Sequence, residues 1–92
     1  MGARLIIEND MGSSMVYELD PERMITLGRN QNNSIVLADE HASRWHAEIY
    51  FQDDHWQIRD LDTRNGTYLD RQRLDGPTPL AEGQEIRIGS TR

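Results

Sequence analysis

The apolar residues of the chain fall in short runs with alternating inward and outward positions, as in Leu5-Ile6-Ile7, Met15-Val16-Tyr17 and Ala47-Glu48-Ile49-Tyr50-Phe51. Turn-forming residues interrupt these runs at intervals of about 8 to 12, the spacing of an all-β sandwich or barrel. No stretch shows the longer apolar stripe of an amphipathic helix. Strands are predicted over residues 3–8, 15–19, 24–27, 34–37, 46–51, 56–60, 67–69, 72–74 and 85–88. Between them lie Asn9-Asp10-Met11-Gly12-Ser13, Asp20-Pro21-Glu22, Arg29-Asn30-Gln31-Asn32-Asn33, Gln52-Asp53-Asp54, Asp62-Thr63-Arg64-Asn65-Gly66 and Asp75-Gly76-Pro77. All are rich in residues that accept left-handed or fixed backbone angles. In an antiparallel sandwich the strands form the frame and the loops gather at its ends, so function is expected in loops. Three polar connections, residues 28–33, 38–45 and 61–66, each carry an Arg beside small hydroxyl or amide side chains.

Composition narrows this picture. The chain has 92 residues, enough for one domain with one core. Its 36% hydrophobic content is low but clustered, which favours a folded chain over a disordered one. The net charge of −6 argues against general binding to nucleic acid, which needs a broad basic surface. All 10 basic residues are Arg, so what matters is whether a few of them converge against an acidic background. With no Cys, neither disulfides nor thiolate metal sites are available, and a cytoplasmic setting is favoured. The N-terminal apolar run is too short for a signal peptide, no stretch approaches the roughly 20 residues of a membrane helix, and no membrane partner is expected.

The candidate chemistry sits in the three connections. Leu27-Gly28-Arg29-Asn30 ends a strand on Gly and delivers Arg29, a planar fork of donors matched to phosphate oxygens, into a polar loop. Read blandly, it is a surface Arg after a turn glycine. In Ala42-Ser43-Arg44-Trp45-His46, Ser43 offers a hydroxyl and Arg44 a charge just ahead of a strand. The bland alternative makes Ser43 a turn residue. His46 is read as a hydrogen-bonded core histidine that braces the loops. In Thr63-Arg64-Asn65-Gly66-Thr67 the Asn-Gly pair is a strong turn signal, and the Asn65 amide also has the donors and acceptor to pair with a peptide main chain.

Taken together, Gly28-Arg29, Ser43-Arg44-Trp45-His46 and Asn65-Gly66 occur in the order and spacing of the signature Gly-Arg, Ser-x-x-His, Asn-Gly, and the chain resembles the forkhead-associated (FHA) domain family. Asn33-Ser34-Ile35-Val36-Leu37, Asp60-Leu61 and Ile86-Arg87-Ile88-Gly89 extend the resemblance over roughly residues 3 to 89. The resemblance implies an all-β, FHA-type sandwich of mostly antiparallel strands, eleven in the family, whose apical loops bind a phosphothreonine peptide. By position, Arg29 and Ser43 resemble the phosphate ligands, with Arg44 and Arg64 beside them, and Asn65 resembles the clamp on the peptide main chain. Gly28, His46 and Gly66 resemble residues that shape the loops. His41 occupies a position that in some members senses the residue three places after the phosphothreonine. Preference for threonine implies a niche for its γ-methyl, worth about 0.8 kcal/mol by transfer. The partner implied is a phosphothreonine-containing protein, with no cofactor and no metal, and domains of this family are commonly joined to kinases, transcription regulators or other effectors.

Three departures from the family pattern carry expectations. The chain ends at Gly89-Ser90-Thr91-Arg92, where relatives continue into a closing strand. Residues 1–92 are therefore read as a single FHA domain truncated at its C-terminus, with the first strand's edge open to self-association. Trp45 replaces a common polar residue and is expected to pack over its loop. Asp70-Arg71 replaces an Asn-Gly turn and should alter that hairpin without disturbing the phosphate site. Rival readings are weaker. Asp39-Glu40-His41 and Asp53-Asp54-His55 match no standard zinc spacing, and no Ser-His-Asp constellation or nucleotide-binding fingerprint is apparent. An FHA scaffold that binds its partner through a sheet face without regard to phosphate is the remaining alternative.

Overall fold

The computed structural model describes residues 3–8, 14–89 and 91. Ten strands run in chain order: β1 (Ala3–Glu8), β2 (Ser14–Leu19), β3 (Ile25–Gly28), β4 (Ile35–Val36), β5 (Ala47–Gln52), β6 (His55–Asp60), β7 (Tyr68–Leu69), β8 (Gln72–Arg73), β9 (Thr78–Pro79) and β10 (Ile86–Arg87). They form a five-stranded sheet of order β4-β3-β5-β6-β9, a three-stranded sheet β10-β7-β8 and the β1-β2 hairpin. All pairings are antiparallel except β3 with β4. The described chain is all-β and mostly antiparallel, as the resemblance implies. The predicted turn Asn9-Asp10-Met11-Gly12-Ser13 lies outside the described residues.

Alternation sets the core. Ile25 pairs with Ile49 and Leu27 with Ala47, and Ile49 also pairs with Ile58, so these side chains share one face of the large sheet. Ile49, Ile58 and Ala47 are fully buried there. Thr26, Glu48 and Arg59 occupy the opposite, outer face through the same registers. Leu5, Ile7 and Tyr17 from the β1-β2 hairpin, with Ile86 from β10, pack against the core, and Leu19 and Ile88 belong to it. Among the described residues β1 pairs only with β2. Between β1 and β10 lies a groove of about 430 Å³ floored by Leu5, Ile7, Leu27, Leu37, Ile86 and Ile88.

The turns account for the differences from the predicted elements. Asp53 and Asp54 (φ 55° and 67°) close the β5-β6 hairpin, and Asp70 and Arg71 (φ 48° and 73°) close β7-β8. Both are two-residue turns with positive φ at each position, the type I′ geometry that glycine usually relieves. β9 was not predicted, because Pro79 argues against a strand. It sits at the sheet edge, where a residue without an N–H is tolerated. The parallel β3-β4 pairing covers only two residues a side, so the six-residue connection 29–34 has to double back on itself. That fold-back places Arg29 at the tip of the sandwich.

Candidate functional site

Backbone hydrogen bonds lace the first two polar connections together before any side chain is considered. The Arg29 amide donates to the Ser43 carbonyl (3.0 Å), the Asn30 amide to the Arg44 carbonyl (3.1 Å) and the His46 amide to the Leu27 carbonyl (2.8 Å). Gly28 makes this approach possible, since a Cβ there would overlap the backbone carbonyl of Arg44. Asn33 closes the fold-back: its Nδ2 donates to both the Asn30 and Arg44 carbonyls, at 2.8 Å each. Two accepting carbonyls on one nitrogen also fix which way that amide points.

His46 joins these loops to the third. It is fully buried, and the Ser43 amide donates to its Nδ1 (2.9 Å), which leaves the ring proton on Nε2 to be donated to the Gly66 carbonyl (2.9 Å). Below it, Asp60 organises the 61–67 connection. The Thr63 and Thr67 hydroxyls each donate to Asp60 Oδ1 at 2.7 Å, and the Thr63 amide donates to Oδ2 at 2.9 Å. Burial works against ionisation of Asp60, yet these three donors, with the nearby His46 ring, hold its carboxyl below the ordinary range. The Gly66 amide donates to the Thr63 hydroxyl (3.0 Å), and Gly66 takes φ +82° with the Arg73 side chain lying against it.

On this frame stand the side chains singled out in the sequence. Arg29, Arg44, Arg64, Asn65 and His41 are exposed and Ser43 is half-buried. Arg29 Nε donates to the Ala42 carbonyl (2.8 Å), next to Ser43, which leaves the outer guanidinium nitrogens to face outward chemistry. Asn65 Nδ2 donates to the His41 carbonyl (2.9 Å), linking the third loop to the second. Among the described residues none of Arg29, Arg44 and Arg64 has a carboxylate partner. One apex thus gathers the Arg29 guanidinium, the Ser43 hydroxyl and the Asn65 amide, a donor set suited to an anion with several acceptor oxygens. Trp45 is 44% exposed and joins no aromatic pair among the described residues.

Asn33, Asp60, Thr63, Thr67 and Arg73 make contacts in this apex that the sequence did not assign to them, although all but Arg73 lie in segments singled out there. Arg73 reaches the Arg64 carbonyl at 3.2 Å from a neighbouring strand, which no local pattern announces. For Asp60 a signal was present, a carboxylate three residues ahead of a threonine, the spacing of a local side-chain to backbone bond. Among the described residues no group of three or more His, Asp or Glu side chains converges as a metal site would require.

A family model described as the FHA domain matches residues 25–89. The chain belongs to the FHA domain family. It is 36% identical over 70 residues to the FHA domain-containing protein FhaB of Mycobacterium tuberculosis, covering 76% of this chain and 45% of that protein. With the glycogen accumulation regulator GarA of the same organism it shares 31% identity over 90 residues, 98% of this chain and 54% of GarA. The chain therefore spans about half the length of these two relatives. Its structure is similar to that of the FHA domain of the CT664 protein from Chlamydia trachomatis, with a TM-score of 0.80 and 26% identity over 97% of this chain and 92% of that one. FHA domains bind phosphothreonine peptides, using loop arginines on a β frame.

Proposed function

We propose that this FHA domain is a phosphorylation-dependent binding module, not an enzyme, in which Arg29 and Ser43 receive the phosphate of a phosphothreonine peptide. Arg44 and Arg64 add positive charge at its rim, and Asn65 pairs with the peptide main chain. The observation that carries this reading is the meeting of exposed Arg29 and half-buried Ser43 at one apex, with Arg29 steered by the Ala42 carbonyl beside Ser43. A phosphothreonine brings about −1.5 to −2 charge and three acceptor oxygens, and fork donors held in advance meet it through charge-assisted bonds. An unphosphorylated threonine offers none of that charge. His41 contributes a carbonyl to hold Asn65, and its exposure supports assigning its ring to the residue three places after the phosphothreonine.

A phosphothreonine peptide array tests the assignment. Arg29→Ala is expected to abolish capture while the protein melts as wild type, because Arg29 is exposed. Unchanged capture by Arg29→Ala would instead favour a phosphate-independent contact through a sheet face.

A further inference from the structure

The Asn65 side chain is held by a series of contacts that begins near residue 91. Ile88 and Thr91 close a tight turn through two backbone hydrogen bonds, each 2.8 Å. Gly89, inside that turn, has φ +58°, and a Cβ there would lie 2.8 Å from both Asp39 carboxylate oxygens and 2.9 Å from His41 Cβ. Glycine is thus required twice over, for the left-handed backbone and for the close approach to the second loop. The Thr91 hydroxyl then donates to Asp39 Oδ2 at 2.9 Å.

Asp39 is buried, and it starts the loop that carries the site. Its Oδ1 accepts the His41 amide (2.9 Å) and its carbonyl accepts the Ala42 amide (3.0 Å). The carbonyls of those same two residues are the ones that hold Asn65 Nδ2 and Arg29 Nε. The Asp39 carboxylate thus fixes the peptide unit that carries the His41 amide, and the Asp39 carbonyl fixes the next, whose oxygen is the one that aims the main-chain clamp; the Ala42 oxygen beyond it shares its peptide unit with the Ser43 amide, which His46 holds.

We infer that Asp39 and Thr91 are positioning residues of the phosphopeptide site, acting through the His41 carbonyl on Asn65; the inference rests on the phosphopeptide reading of that apex. Asn65 is exposed, so without the His41 carbonyl its amide would rotate freely and its ordering would be charged against binding. With one amide hydrogen engaged, the other hydrogen and Oδ1 remain, pre-aimed, for a peptide backbone. Arg29 is preset separately, with Nε engaged and its terminal nitrogens left for phosphate. The turn at residues 88–91 thereby sets how rigidly Asn65 is held.

The test compares wild type with Thr91→Val and Thr91→Ser, reading the NMR signals of the Asn65 side-chain amide and the Arg29 Nε–H in the free protein. A phosphothreonine peptide from the array then supplies affinities. Thr91→Val is expected to shift the Asn65 signal, with that of Arg29 as the internal reference, and to weaken the peptide roughly fivefold, and Thr91→Ser, which restores the hydroxyl, to recover signal and affinity. Asp39→Ala should act in the same direction more strongly; should it fail to fold, the Thr91 pair decides. An Asn65 signal left in place by Thr91→Val, or an affinity that Thr91→Ser does not recover, would overturn the inference. If wild type captures no phosphopeptide at all, the functional reading falls while the free-protein signals still decide whether the strut exists.

Discussion

The roles of single residues divide by how locally they are determined. Gly28-Arg29, Ser43 and Asn65-Gly66 could be read from the sequence because each is a short contiguous pattern, and order supplied the rest. Asn33 was hidden among the amides of one loop, and its work depends on the Arg44 carbonyl, a contact formed only when the chain folds. Asp39 was illegible for the same reason, its Thr91 partner being set by tertiary approach, whereas Asp60 had a local signal in Thr63. Asp60 supports a direct expectation. Its carboxyl is held below the ordinary range, so on acidification the unfolded chain takes up the proton first. The stability it supplies is complete above the unfolded value, about 4, and is lost as pH falls through the lower folded value. Asp60→Asn should cost about 1–2 kcal/mol at neutral pH. It should also flatten the stability curve below pH about 4, as measured by denaturant unfolding across pH. An unchanged acid limb would mean that Asp60 is not the residue responsible.

At the scale of elements, alternation placed most strands and the core face, since a period of two leaves little freedom once Ile25, Leu27, Ile49 and Ile58 must all point inward. What it did not reveal was β9, because Pro79 is a strand breaker everywhere except an edge, and edges are not visible until the sheet order is known. Hairpin turns were placed by composition, but their strain was not. Arg71 is exposed with φ 73° and Asp70 beside it has φ 48°, while the Asp70 carboxylate accepts the Glu85 amide at 2.9 Å. Asp70 thus has a compensating contact for its backbone. Arg71→Gly should relieve the strain that a Cβ imposes there and raise stability by about 0.5–1 kcal/mol, less than the full left-handed cost because glycine also loosens the unfolded chain. Thermal or denaturant melting checks this, and phosphopeptide affinity should not move, since the β7-β8 turn is no part of the apex.

The whole molecule is acidic, and its recognition loops balance Arg29, Arg44 and Arg64 against Asp39, Glu40 and Asp62. Its net charge is −6, yet Arg29, Arg44 and Arg64 stand exposed on loops that three strand ends bring together, without carboxylate partners among the described residues. Such a distribution repels polyanions in general while favouring one small anionic group presented in the right geometry. Fold and ligand class could be read from the sequence together, because the FHA signature is spread over the three loops that the sandwich collects. That His46 braces those loops was expected from the sequence; which groups it and Asp60 engage required the structure. The central claim is that this apex reads the phosphate of a phosphothreonine. Calorimetric titration of the wild-type chain with one array-selected peptide, in phosphothreonine and unphosphorylated forms, tests it most directly. Saturable binding of the phosphorylated form and none of the other is expected, and equal binding of the two would contradict it.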